Sequence, residues 1–167
     1  MVLSALEALG AVHAGDVVPS ELLDRVLDDA SAHTSRALSA RASLADGKGS
    51  LQRALDDEIE LARRLVVAVL VLRHGDRVRD AVRTVDRAEG QRRALGVEAL
   101  DVLLSRHEAA IAVPLVSRDL RSPAAREVVA YGGSRAPGEW IDDMARDPDG
   151  VWRSSWLAAC ARHEAGD

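Results

Sequence analysis

The sequence predicts an all-α protein of about nine helices arranged in successive antiparallel pairs. Apolar residues recur every three or four positions, and no segment alternates apolar and polar residues as a half-buried strand does. Aromatic residues, which favour strands, make up only 2% of the chain. Glycine, proline and small polar residues divide the pattern into segments of helix length. Tandem helix pairs that repeat about every 30 to 45 residues are typical of an α-solenoid.

The first three helices are predicted from their apolar spacing and their boundaries. Residues 2–12 form a short helix, and residues 20–44 form a second helix with a polar stretch in its middle. A short polar loop leads to a third helix at residues 51–74. Two long helices of similar length joined by a short loop are expected to form an αα-hairpin.

The third helix is expected to change character along its length. Its first half carries one apolar stripe, and from Leu61 onwards the stripe broadens. The helix is therefore predicted to run from a solvent-exposed surface into the buried core. The stripe consists of Leu51, Leu55, Ile59 and Ala62. The acidic residues are expected to form a solvated face rather than a metal site or an acid–base pair. They are Asp56, Asp57, Glu58 and Glu60.

Six shorter helices are predicted in the rest of the chain. In residues 77–88 the inner positions are Val78, Ala81, Val82 and Val85. Residues 91–104 carry apolar residues on one side, namely Leu95, Ala99, Val102 and Leu103, with Val97, Leu100 and Leu104 beside them. Ser105 and Glu108 have the spacing of a capping box, and the helix they open should kink or end at Pro114. The last three helices are expected to begin at Ser122-Pro123, at residue 139 and at residue 151.

The sequence contains no motif for a reaction, a cofactor or a metal. Gly47-Lys48-Gly49-Ser50 lacks the first glycine of a phosphate-binding loop, and His107-Glu108 lacks the second histidine of a zinc-protease motif. The apolar run at residues 65–72 is far shorter than the roughly 20 residues of a bilayer span. We therefore expect a non-enzymatic, cytoplasmic segment without cofactor, metal or membrane insertion.

Positive charge is concentrated in the middle of the chain. Residues 62–107 hold 10 arginines against 6 acidic residues, although the whole chain has a net charge of −5. Most such charges serve a solvated helix face, but they can also form a basic ridge that binds an acidic partner. The candidate ridge consists of Arg63, Arg64, Arg73, Arg77, Arg79, Arg83, Arg92 and Arg93.

The segment IDDMARDPDGVWRSSWLAACARH, residues 141–163, resembles a HEAT repeat. It has a first helix, an aspartate-containing turn, and a second helix that opens with a tryptophan and an arginine. The resemblance implies a HEAT-like α-solenoid in which Asp147 and Arg153 lace neighbouring repeats together. A carboxylate in that position can accept hydrogen bonds from an adjacent arginine while it caps the helix start.

Two further segments extend the resemblance. RALDDEIELARRLVVAVLVL and ALGVEALDVLLSRHEAAIAVPLV resemble the HEAT-like cytoplasmic region of bacterial transporters of the major-facilitator or nucleotide-translocase type. This resemblance implies a single domain over residues 1–167 that is a fragment of a larger protein, tethered to the membrane through the parent transporter. The first helix starts almost at Met1 without an N-terminal cap, which is also expected of an excised fragment.

The leading functional hypothesis is a non-catalytic helical scaffold or regulatory domain. It would bind another protein, or another domain of the same parent chain, through the basic ridge. Trp140, Trp152 and Trp156 have two possible roles, a recognition patch or the closed core of a terminal repeat. The alternative hypothesis is a HEAT-like nucleic-acid-binding domain of the DNA-repair type. The net negative charge and the scarcity of aromatic residues disfavour this alternative, and we expect no nucleic-acid partner.

Overall fold

The computed structural model describes residues 2–11, 18–44, 49–118, 133–147 and 150–166, and these residues form eight helices and no strand. The all-α prediction is therefore confirmed for these ranges. About nine helices were predicted, and the one expected from Ser122-Pro123 lies outside the described residues, as does most of the loop at residues 45–49. The helices are α1 (Val2–Ala11), α2 (Ser20–Ser43), α3 (Ser50–His74), α4 (Asp76–Arg87), α5 (Gly90–Leu103), α6 (Arg106–Ser117), α7 (Pro137–Arg146) and α8 (Ser155–Ala165).

Helix α6 runs past its internal proline. It continues from Pro114 to Ser117 and ends at Arg118, which adopts the left-handed conformation with φ 53°. Proline removes the N–H that would bond to the carbonyl four residues earlier. That carbonyl belongs to Ala110, an exposed residue, so solvent can satisfy it. Pro114 therefore does not end this helix.

Helix α8 begins four residues later than the sequence predicted. The Asp147 carboxylate accepts hydrogen bonds from the backbone N–H groups of Val151, at 2.7 Å, and Trp152, at 3.2 Å. These bonds hold the segment before α8 in a non-helical conformation. Ser154 then caps the helix, because its hydroxyl accepts from the N–H of Leu157 at 3.2 Å.

The chain divides into two compact units. The first unit contains α1, α2 up to Ser31, α3 from Arg63, and α4 to α6. The second unit contains α2 from Ala32, α3 up to Ala62, α7 and α8. The assignment of residues 1–167 to a single domain stays a prediction.

The first unit has a core of aliphatic side chains. Helix α4 packs against α5 and α6, and α5 also packs against α6. The four inner positions predicted for α4 are all buried, which confirms that part of the pattern. The larger buried aliphatic residues of this unit are Leu6, Leu23, Leu27, Leu65, Val66, Val69, Leu70, Val71, Leu72, Val78, Val82, Val85, Leu100, Leu104, Ile111, Leu115 and Val116.

Gly96 allows α4 and α5 to approach closely. A Cβ atom at this position would lie 2.9 Å from Val85 Cγ2 and 3.3 Å from the carbonyl oxygen of Ala81. We predict that Gly96→Ala lowers the free energy of unfolding by about 1 to 3 kcal/mol, because the two helices must separate. An exposed helical glycine behaves in the opposite way, since alanine there stabilises by up to about 1 kcal/mol.

The matched control for this prediction is Gly138→Ala in α7, where a Cβ atom would meet no atom within 4 Å. Urea denaturation followed by circular dichroism measures both variants. Equal stability of Gly96→Ala and the unsubstituted protein would show that α4 and α5 do not pack as described.

The second unit has a core that includes two tryptophans. Trp140 and Trp152 are 0% and 6% exposed, and their ring centroids lie 6.4 Å apart in an edge-to-face arrangement. The guanidinium group of Arg135 lies 4.8 Å from the centroid of the Trp140 ring. The buried residues around them are Ala37, Ala40, Leu51, Ala54, Leu55, Met144, Leu157, Cys160 and Ala161.

Candidate interaction surface

Most arginines of the predicted basic ridge bind groups of the protein itself. Six of the eight have partners in the first unit, which partly neutralises the ridge. Arg63 pairs with Asp86, Arg64 with Glu7, Arg73 with Asp24 and Glu108, Arg79 with Asp76, and Arg83 with Asp80, while Arg93 donates to the backbone carbonyl oxygens of Val85 and Ser117. Arg77 and Arg92 are exposed and have no partner among the described residues.

Arg73 belongs to a cluster centred on the buried carboxylate of Glu108. Oε1 of Glu108 accepts from Arg73 Nη1 at 2.8 Å and lies 3.0 Å from His74 Nε2. Oε2 accepts from the backbone N–H of Ser105 at 2.9 Å, and the Ser105 hydroxyl accepts from the Glu108 N–H at 3.3 Å. The predicted capping box is therefore confirmed. The sequence did not indicate that α3 supplies two further partners.

Burial of Glu108 by itself raises the pKa of its carboxyl group. The hydrogen bonds from His74, Ser105 and Arg73 outweigh this effect and lower the pKa from 4.5 to about 2. Glu108 is 3% exposed, so the cluster connects the end of α3 to the start of α6 inside the protein. The cluster therefore has a structural role in the first unit.

An apolar groove lies between α1, α3 and α4. Its volume is about 240 Å³, and its apolar lining includes Leu6, Val67, Ala68, Val71 and Val82. Two ion pairs, Arg63 with Asp86 and Arg64 with Glu7, line it as well. Arg79 also lines the groove, and its guanidinium group donates to the carbonyl oxygen of Gly10 at 2.9 Å.

The outer face of α5 exposes two large apolar side chains. Val102 is 84% exposed and Leu95 is 55% exposed, and the two residues lie seven positions, or two helical turns, apart on one face. Of the apolar residues that the sequence places beside them, Leu100 and Leu104 are buried. Gly96 is buried as well, because α5 is apolar on two faces and the packing of α4 and α6 decides which face is covered.

The charges on this outer face are ordered along the helix. Arg92 lies in the first turn of α5, whereas Glu98 and Asp101 lie in its second half. Glu98 and Asp101 are exposed, and neither has a partner among the described residues. We call Arg92, Leu95, Glu98, Asp101 and Val102 the α5 surface. It combines unpaired charge with two of the four exposed large apolar side chains of the described ranges, including Val102, the most exposed of them.

The three tryptophans do not form one exposed patch. Trp140 and Trp152 are buried, and Trp152 Nε1 donates to Asp143 at 3.2 Å. Trp156 is 56% exposed. The core role therefore applies to the first two, and a recognition role stays a prediction for Trp156.

Asp147 is one of the two residues that were predicted to lace neighbouring repeats together, and it has a clear structural role. Asp147 lies at the end of α7 with φ 36°, and within the described residues its carboxylate bonds to the backbone N–H groups ahead of α8. The resemblance implied that it caps a helix start, but α8 begins at Ser155 and its N-terminal cap is Ser154. Arg153 is exposed in the segment before α8. Lacing between repeats stays a prediction.

Sequence reasoning missed a buried polar pair in the second unit. His33 Nε2 lies 2.7 Å from Glu58 Oε2, and these side chains are 3% and 1% exposed. The His33 ring also meets Trp152 edge-on, with centroids 5.9 Å apart. The expectation that Glu58 points to solvent was wrong. A signal was present, because Glu58 follows Leu51 by seven residues and Leu55 by three, which places it on the buried stripe.

Two polar atoms of this pair, His33 Nδ1 and Glu58 Oε1, have no hydrogen-bond partner among the described residues. Within the same ranges, no group of three or more histidine, cysteine or acidic side chains is placed to hold a metal ion. No helix described in the structure is both long enough and apolar enough to cross a membrane.

Comparisons of this chain with family models, with curated proteins and with solved structures found no match. A function is therefore inferred from the surfaces that the described residues form.

Proposed function

We propose that this chain is a non-catalytic, HEAT-like helical scaffold that binds a protein segment, and that the α5 surface is where it binds. The observation that carries the proposal is the exposure of Val102, at 84%, and Leu95, at 55%, on a helix whose opposite face is packed. Clustered exposed apolar side chains on a folded protein mark interaction sites. The proposal moves the binding surface from the basic ridge, where six of eight arginines have internal partners, to the outer face of α5.

We place the proposed partner segment within the same parent protein. The resemblance of residues 53–72 and 94–116 to the cytoplasmic region of bacterial transporters supports a partner within the same parent chain. A nucleic-acid partner is less well supported, because phosphates would have to compete with the carboxylates that the ridge arginines already bind.

Site-specific photo-crosslinking in cells that express the natural protein tests this proposal. A photoreactive amino acid replaces Val102 in one variant and Ala110, an exposed residue of α6, in the control. We expect a discrete protein adduct from position 102 that position 110 does not form, and mass spectrometry then shows whether it lies in the parent chain or in a separate protein. The same weak adducts from both positions would contradict a binding role for the α5 surface.

A further inference from the structure

The order of charges on the α5 surface is the reverse of what an isolated helix favours. A helix has partial positive charge at its N-terminus and partial negative charge at its C-terminus, so acidic residues belong in the first turn and basic residues in the last. Helix α5 has no acidic residue in its first turn and no basic residue in its last turn. It has Arg92 near its start and Asp101 near its end. Within α5 itself, both charges are therefore in unfavourable positions.

The basic end of the surface extends beyond Arg92. A shallow depression at the turn between α4 and α5 is lined by Arg83, Arg87 and Arg92, together with Thr84, Ala88 and Glu89. Arg87 and Arg92 are exposed and have no partner within the described residues. The α5 surface thus runs from a basic end, across Leu95, to an acidic end around Glu98 and Asp101, with Val102 beside them.

From this order we infer that the partner is an amphipathic helix with the same N-to-C charge order as α5, and that it lies antiparallel to α5. This inference rests on the proposed function. The helix would have lysine or arginine in its N-terminal half, facing Glu98 and Asp101, and acidic residues in its C-terminal half, facing Arg87 and Arg92. In this direction its own positive end lies against Asp101 and its negative end against Arg92, so the dipole and the side-chain charges favour the same orientation.

The spacing of the apolar residues defines the apolar face of the partner. Leu95 and Val102 are seven positions apart, which matches one heptad of a helix packed at a shallow angle. The partner helix therefore needs two apolar residues seven positions apart, with its basic residues beside the first of them, which contacts Val102. This is the helix-on-helix mode of recognition, in which apolar anchors supply affinity and flanking charges set the direction.

Helix α5 of a second copy of this chain has the same charge order and apolar spacing, but it fits the surface less well than a helix from another segment. If Leu95 of one molecule packed antiparallel against Val102 of a second copy, the two-fold axis would pass between residues 98 and 99. The two Glu98 carboxylates would then lie beside each other, and like charges in an interface oppose association. Self-association is therefore the competing result in the experiment below.

Two designed peptides of about 20 residues, long enough to form a helix, test the inference. Both carry leucines seven positions apart. The first is basic in its N-terminal half and acidic in its C-terminal half, and the second has the two charge types exchanged. Fluorescence anisotropy of each labelled peptide is measured against the purified full chain. We expect the first peptide to bind at least about tenfold more tightly than the second at low salt.

Substitutions in the chain make the test specific. Glu98→Lys with Asp101→Lys should weaken binding of the first peptide about tenfold, and Val102→Asp should abolish its binding. Ala110→Asp, at an exposed position of α6, is the control and should leave binding unchanged. Circular dichroism confirms that each variant is folded. A crosslinker on the N-terminus of the first peptide should react near Asp101 if the helices are antiparallel.

Four results would overturn the inference. They are equal affinity for the two peptides, binding that Val102→Asp does not weaken, crosslinks from the peptide N-terminus near Arg92, and a Val102-dependent dimer that excludes the peptide. If position 102 crosslinks to a specific partner and one of these four results is also found, the proposed function is retained. Only the inference that the partner is an amphipathic helix of this charge order is then rejected. Absence of that partner would reject the proposed function itself.

Discussion

Replacing Glu58 by alanine is expected to lower the free energy of unfolding of the second unit by about 3 kcal/mol. The carboxylate is 1% exposed and lies 2.7 Å from His33 Nε2. Its removal leaves the imidazole buried without that partner, and it also leaves a cavity beside the core. Tryptophan fluorescence during urea denaturation measures the loss, because all three tryptophans of the chain lie in the second unit.

Three variants separate the causes of this effect. Asp57→Ala, at the exposed neighbouring position, is the matched control and should change stability little. Glu58→Gln keeps the shape of the side chain and a hydrogen bond to the His33 ring. It should therefore lower the free energy of unfolding less than Glu58→Ala does. Replacing both His33 and Glu58 by leucine should recover much of the loss, since apolar residues of similar volume can replace a buried polar pair. A loss in the double variant larger than in Glu58→Ala would contradict this account.

Acid is expected to remove the stabilisation that Glu108 gives to the first unit. The pKa of Glu108 is about 2 in the folded protein, against an ordinary value of 4.5. Because the folded value is the lower one, the contribution is fully present above about pH 5 and is lost as the pH falls towards 2. A shift of this size corresponds to about 3 kcal/mol. The Arg73 and His74 contacts are its structural source.

Glu108→Gln provides the comparison. The difference in free energy of unfolding between this variant and the unsubstituted protein should be about 3 kcal/mol near neutral pH and should shrink steadily below about pH 5. Circular dichroism is the suitable signal, since no tryptophan lies in the first unit. Glu98→Gln, at an exposed carboxylate without a described partner, is the control. A difference that does not change with pH would show that the carboxylate is not bound as described.

Local features of the fold were predictable because they depend on neighbouring residues. The inner positions of α4 and the Ser105–Glu108 capping box follow from spacing within a single helix, and the structure confirms both. The start of α8 was less predictable. It depends on Asp147, whose carboxylate reaches across the turn to the N–H groups of Val151 and Trp152 and delays the helix.

The candidate surface could not be predicted, because it depends on which face of a helix its neighbours cover. Helix α5 has apolar residues on both faces, and its spacing does not indicate which face is covered. Gly96 decides this, since its lack of a side chain lets α4 approach on the face opposite Leu95 and Val102. The ion pairs of the basic ridge could not be predicted for a related reason, because the carboxylates that bind Arg64 and Arg73 are 57 and 49 residues away in sequence.

The all-α class, most helix boundaries and the Ser105–Glu108 capping box could therefore be predicted from the sequence, since they follow from propensity and spacing within short segments. Helix packing was needed to establish the contact of Glu58 with His33, the ion pairs of Arg63, Arg64 and Arg73, and the exposure of Val102. Each of these depends on contacts between residues far apart in the chain. Such contacts form only when complete helices pack, and no local pattern encodes them.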